Sequence, residues 1–288
     1  MRLRNSFFLA LTVGAALGAC GEQPTDGPTD RPAKQAGEPR HKLGLMTSLP
    51  IYWPLGTELS DFASGNAAVP WQREALEEQF ELVPLDTLSP IADLAPDAPR
   101  IDPLEGLDRL AIVQPRILSP SDNFALDQWV REGGQLLLVL DPALAGHFNL
   151  PLGDPRSPVE TALIPPVLAR WGLDIVFDEA QEPVRQIAIG QTPVPVALAG
   201  TIRASRVQEN GVREIAGRTG DCDFWGEGVM VRCALGAGQV TLIADAEAFL
   251  GEHLHEGLGG SQEQGRDHDH EDGIRSPAIQ ALVRIAFD

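Results

Sequence analysis

The chain is short of basic residues, of long apolar runs and of internal repeats, and each shortage narrows what it can do. Only 22 of its 288 residues are Lys or Arg, against 41 Asp or Glu, for a formal charge of −19. Such a surface repels phosphate backbones and anionic headgroups, which argues against a nucleic-acid partner. Past the N-terminus no apolar run approaches the roughly 20 residues that a membrane-spanning helix needs. No repeat indicates a solenoid. What the chain does have is a hydrophobic fraction of 43%, enough to bury a sizeable core and to exclude wholesale disorder.

The first twenty residues read as an address. Arg2 and Arg4 form a positive start, Phe7 to Leu17 is a short apolar stretch, and small residues lead to Cys20. Leu17-Gly18-Ala19-Cys20 resembles the lipobox of bacterial lipoproteins. That implies a signal peptide over residues 1–19 and lipidation of Cys20, with acyl chains tethering a soluble domain to the membrane at about 0.8 kcal/mol per buried methylene. An ordinary signal peptide is the alternative. Gly21 rather than Asp at the next position favours, by resemblance to enterobacterial sorting rules, a periplasm-facing outer-membrane location over the inner membrane. Residues 20–42 then hold the anchor and a Pro/Gly/Thr-rich stretch read as a flexible linker.

From residue 43 onward strands and helices alternate. Lys42–Pro50 is a first strand, and Pro70–Phe80 a helix opened by its proline. Phe80–Asp86 is a strand that its proline marks as an edge. Arg109–Pro115 and the continuous apolar run Gln135–Asp141 flank a helix, Asn123–Arg131, preceded by the capping residues Ser119 to Asp122. This is a βαβ unit. A helix over Val159–Trp171 and a strand over Leu173–Asp178 follow. Residues 180–235 change texture to short β-prone pieces broken by Gly and Pro, read as a β-rich insertion. Gly236–Asp245 returns to a core strand, and Ser276–Ala286 is a closing helix. Cys222 and Cys233 lie symmetrically about Glu227-Gly228, so a tight hairpin there sets them opposite each other. A cross-strand disulfide is the favoured reading, with free buried thiols as the alternative.

Three passages, Leu107–Pro142 (LDRLAIVQPRILSPSDNFALDQWVREGGQLLLVLDP), Leu168–Asp178 (LARWGLDIVFD) and Gly236–Leu250 (GAGQVTLIADAEAFL), resemble the uncharacterised ABC-type transport-system domain of gliding-motility auxiliary proteins. These are related to the class I glutamine-amidotransferase-like folds. The resemblance spans roughly residues 43–288. It implies an α/β, flavodoxin-like three-layer αβα domain, here with the β-rich insertion, in a cell-envelope accessory protein whose partner is an ABC-type transporter component.

In an open parallel sheet ligands bind beyond the carboxyl ends of the strands. Asp86, Arg116, Asp141 and Asp245 fall there, and Tyr52 and Trp53, after the first strand, can wall the same crevice. The alternative for each Asp is a cap or turn-fixing role. An amidotransferase nucleophile would be a Cys on an elbow after a core strand, but neither G-x-C-x-G nor G-x-S-x-G occurs. Four of the six histidines, His253, His255, His268 and His270, share one acidic loop as two H-x-H pairs, a donor set suited to zinc. It lacks the fixed spacing of a known site, and a solvated polar loop is the alternative. The sequence therefore points to a binding protein accessory to an envelope transport or assembly system. Zinc sequestration by the histidine loop and a hydrolase with an unrecognised site are the alternatives.

Overall fold

Core strands of a doubly wound sheet show themselves as apolar runs on both faces, and the runs found here lie side by side. A computed structural model describes residues 40–57, 59–93, 99–146, 148, 150–151, 153–207, 213–215, 222–250 and 272–288. The signal peptide, Cys20, most of the linker and the four-histidine loop expected above lie outside the described residues. In chain order the strands are β1 (His41–Thr47), β2 (Phe80–Pro84), β3 (Arg109–Val113), β4 (Gln135–Val139), β5 (Leu173–Val176), β6 (Val184–Ile189), β7 (Thr192–Ala197), β8 (Thr201–Val207), β9 (Arg213–Ile215), β10 (Cys222–Trp225), β11 (Met230–Leu235) and β12 (Gly238–Ile243). The helices are α1 (Leu59–Ser64), α2 (Trp71–Glu77), α3 (Pro120–Arg131), α4 (Pro166–Arg170) and α5 (Asp272–Phe287).

The central sheet has the order β10-β11-β12-β4-β3-β1-β2. Its strands β12, β4, β3, β1 and β2 are parallel, and β11 and β10 add an antiparallel ribbon at one edge. The parallel part follows the flavodoxin-like succession 2-1-3-4-5, with its topological switch between β1 and β3. Because side chains alternate along a strand, β3 and β4 feed two cores. Ala111, Val113, Leu137 and Val139 pack with residues of α2, α5 and the β6–β7 hairpin, such as Leu76, Leu282 and Val194. Leu110, Ile112, Leu136 and Leu138 pack with residues of α3 and α4, such as Leu126, Val130 and Leu168. The fold is thus the expected three-layer αβα domain.

Local chemistry explains the clearest element. Ser119 caps α3 by accepting from the Asp122 backbone, Asp122 returns a bond to the Ser119 N–H, and Pro120 occupies the first turn. These caps start the helix at Pro120, earlier than the expected Asn123. The same carboxylate accepts from Thr87 Oγ1 and from the backbones of Leu88 and Ser89 at 2.7–3.0 Å, stapling the segment after β2 to α3. Burial opposes its charge, yet the bonds from Ser119, Thr87 and Leu88 outweigh burial and hold its pKa well below the usual carboxylate range.

Three expectations change. The helix expected over Val159–Trp171 shrinks to α4, because Pro165 is held extended (φ −67°, ψ 139°) before a second proline. The strand expected after it, β5, leaves the central sheet and pairs antiparallel with β8, which also carries β9. Within residues 180–235, β6 and β7 form a separate two-stranded hairpin, whereas β10 and β11 join the central sheet. The β10–β11 turn contains Gly226, Glu227 and Gly228, all at positive φ, and sets Cys222 directly opposite Cys233. The two are joined as a disulfide, the pairing the hairpin spacing favours. Proline-bearing β2 is the edge strand the sequence indicates. No helix among the described residues is long and apolar enough to cross a membrane.

Candidate functional site at the switch point of the sheet

Where β1 and β3 end side by side, their following segments diverge to opposite layers and leave a crevice. Ser48, Leu49 and Pro50, just past β1, form one part of its lining, and the loop from Tyr52 to Thr57 forms another. Arg156, from the loop before α4, completes a cavity of about 280 Å³, close to the lower end of the range for small-molecule pockets. Tyr52 and Trp53 wall it. The Tyr52 hydroxyl donates to the Leu45 carbonyl at 3.2 Å. Burial pushes its pKa up, Arg73 opposes that shift, and the charges of Asp86 and Glu77 reinforce it, so the phenol stays a donor. Trp53 is half exposed, with the Arg73 guanidinium 5.4 Å from its ring centroid.

Beneath the crevice sits Gln114, the first residue after β3. It is fully buried and takes the left-handed conformation at φ 43°, which disfavours side chains other than Gly and Asn. Its carboxamide donates to the carbonyls of Asp141 (3.1 Å) and Val159 (2.8 Å) and accepts from the Asp141 N–H (2.8 Å). Its own carbonyl accepts from the Ser48 hydroxyl and backbone, while Ser48 Oγ accepts from the Val159 N–H. A sharp turn after a central strand is where an elbow nucleophile would stand. Here that place holds a carboxamide, with Ser48 already committed to the backbone.

The other residues proposed from sequence separate into three groups. Asp86 is exposed and acts on the crevice through its charge on Tyr52. Arg116 is exposed and turns away from the aspartates. Its guanidinium donates to the carbonyls of Pro155 and Ser157, bracketing Arg156, so it positions the loop that supplies the crevice's cation. Arg156 is a lining residue that sequence reasoning missed: it lies far along the chain, and only its pairing with Asp154 at 2.7 Å has a local signal.

Asp141 and Asp245 come together, but underneath the surface, at 1% and 2% exposure. Asp141 accepts from the backbones of Ala143 (2.9 Å) and Ala246 (3.0 Å), and Asp245 from those of Ala197 and Glu247 (2.8 Å each). The pair ties the ends of β4, β12 and β7 together. Neither lines the crevice cavity, and the bonds are those of the turn-fixing reading. Burial pushes Asp141 up to about 7, eased by its amide bonds and reinforced by Glu247. Burial, then the neighbouring Asp141, raises Asp245 well above the usual range. Among the described residues no group of three or more His, Cys, Asp or Glu is arranged to hold a metal. His253, His255, His268 and His270 lie outside those residues.

Comparison with known proteins places the chain. A family model described as an uncharacterized ABC-type transport system matches residues 40–195. The chain belongs to this family. The matched stretch runs from Arg40, just before β1, into β7 and includes every residue that lines the crevice. No curated protein matches the chain. Among solved structures it is similar to a cytoplasmic protein from Salmonella typhimurium at 12% identity and TM-score 0.42, over 85% of this chain and 98% of that one. It is also similar to a putative ThuA-like protein from Bacteroides uniformis at 11% identity and TM-score 0.40, over 88% and 94%. An exo-β-1,4-mannosidase from an Opitutaceae bacterium matches at 16% identity and TM-score 0.36, over 73% of this chain. The chain spans about a third of that enzyme's length, 32%.

Proposed function

We propose that this protein is a lipid-anchored, envelope-facing accessory of an ABC-type transport system, and that it works by holding a small ligand rather than by catalysis. The observation that carries this reading is the cavity at the β1–β3 switch point, walled by Tyr52 and Trp53 with Arg156 at its side. Its position is where open α/β sheets bind ligands. Two aromatic walls and one cation suit a ring-bearing molecule with a negative group, the ring lying on Trp53 and the charge meeting the guanidinium. Gln114 at the elbow position supports binding over chemistry, since a carboxamide attacks nothing. Family membership supports the transport role, and the Leu17–Cys20 lipobox supports the anchor.

Two measurements test it. A thermal-shift panel of sugar phosphates, nucleotides and aromatic acids is expected to contain a stabilising member whose effect Trp53→Ala removes. A panel without effect, or one that Trp53→Ala leaves unchanged, overturns the ligand reading. Growth with radiolabelled palmitate is expected to label the wild-type chain and not Cys20→Ser. Equal labelling of the two overturns the anchor.

A further inference from the structure

Large apolar side chains are rarely exposed in a contiguous group without a partner. Nine of them are exposed among the described residues, and four, Ile117, Phe124, Leu163 and Ile164, line one groove between α3 and α4. Its volume is about 630 Å³, more than twice that of the crevice, and the two share no lining residue. Phe124 is 61% and Ile117 76% exposed.

The walls are fixed in advance. Asn123 on α3 accepts from the Val167 N–H at the start of α4. Asp127 on α3 accepts from Trp171 Nε1 at 2.8 Å and pairs with Arg170 on α4 at 2.8 Å. Pro120, Pro165 and Pro166 add lining that cannot rearrange cheaply. A preformed groove binds without the cost of ordering itself.

Two features select the occupant. The backbone N–H and C=O groups of Leu163 and Ile164 make no hydrogen bond among the described residues. Beside the apolar floor, the main-chain donors and acceptors of these two exposed residues thus have no partner among the described residues, groups with which an extended peptide can pair. Among the described lining residues the one charged side chain is a cation, Arg170, 59% exposed beside an Asp127 that it shares with Arg131, in a chain whose formal charge is −19. We infer that this groove docks an extended segment of a partner protein that carries apolar side chains flanked by carboxylates. Its apolar residues pack against Phe124 and Ile117, its main chain pairs with Leu163–Ile164, and its acid meets Arg170.

The test uses the full chain against a phage-displayed random dodecapeptide library, with counter-selection on Phe124→Ser. The expected result is enrichment of peptides combining two or more apolar residues with Asp or Glu. Synthetic copies should bind the wild type at least tenfold more tightly than Phe124→Ser, and Arg170→Gln should weaken binding and flatten its salt dependence. Circular dichroism and melting curves identify any variant that fails to fold; Ile117→Ser, at the most exposed position, then takes its place. Absence of enrichment, or enrichment of basic peptides, overturns the proposal. So does a concentration-dependent dimer of the wild type that Phe124→Ser abolishes, which would assign the groove to a second copy of the chain. Loss of peptide binding with the Trp53-dependent thermal shift intact separates this groove from the crevice.

Discussion

Two stretches of the same rim, above β1 and β3 and above β4 and β12, begin alike and end differently. Both lie at the carboxyl ends of parallel core strands, and both carry polar residues in the first turn. Above β4 and β12 the polar groups are carboxylates, and four backbone amides consume them, so the strand ends are laced together and closed. Above β1 and β3 the polar groups are Ser48 and the Gln114 carboxamide. They satisfy backbone below the surface and leave the space above them to Tyr52, Trp53 and Arg156. A strand-end acid is therefore no sign of a ligand site by itself. What opens this rim is divergence of the chain at the switch point, and what closes it is amide capture.

If capture by the acids seals one half, removing an acid should have the largest effect. Asp245→Ala leaves the N–H groups of Ala197 and Glu247 buried without their acceptor and is expected to cost about 2–4 kcal/mol in urea unfolding. A loss below about 1 kcal/mol would mean that packing alone closes this half. Gln114 joins the two halves, and Gln114→Ala should cost about 2 kcal/mol through its lost buried bonds. Gln114→Gly removes the same bonds but relieves the positive φ, so it should be about 1 kcal/mol more stable than Gln114→Ala. An equal cost for both would deny strain at the elbow.

Acidity sharpens the contrast. Asp141 has a raised folded pKa, so between about 4, the ordinary value, and about 7 the folded state keeps a proton that the unfolded chain has lost. Its contribution is fullest below that window and is lost as pH climbs through it. Asp122 works the other way: its lowered pKa stabilises the fold above about 4, and that stability is lost as pH falls below it. Unfolding free energies from pH 4 to 8 should decline more steeply for the wild type than for Asp141→Asn, and parallel curves would sink the assignment. The smallest effect is expected on the open side. Tyr52→Phe gives up one hydrogen bond of 3.2 Å and should change stability by about 1 kcal/mol or less, while the thermal shift of any crevice ligand changes with it.

How far these halves were legible in the sequence follows from the range of the forces involved. The β3–α3–β4 unit could be read because its signals are local: unbroken leucine runs, Ser119 and Asp122 three residues apart, and a glycine stop. The disulfide could be read because pairing in a hairpin is counted outward from its turn. Tyr52 and Trp53 were found from their place after the first strand. Asp141 and Asp245 were placed at the right height but given the wrong surroundings, because which amides turn toward a carboxylate depends on β7 and Ala246, distant in sequence. Arg156 was missed because Arg116 brings its loop to the crevice through carbonyls that no side-chain pattern encodes. The shortened α4 carried a local warning in Pro165-Pro166, overridden by the apolar spacing around it.

The staple between Cys222 and Cys233 sits on the outermost strand of the sheet, a strand of only four residues. A disulfide closing so short a loop contributes roughly 2–4 kcal/mol, added to the pairing with β11 and the packing of Phe224 and Trp225. Made where thiols stay reduced, the chain would let this border strand peel away and bare the main-chain groups of Met230 and Arg232, which face it, an invitation to intermolecular pairing. Recombinant yield should therefore depend on the redox state of the compartment chosen for production, with the exported form recovered as monomer and the reduced form prone to aggregate.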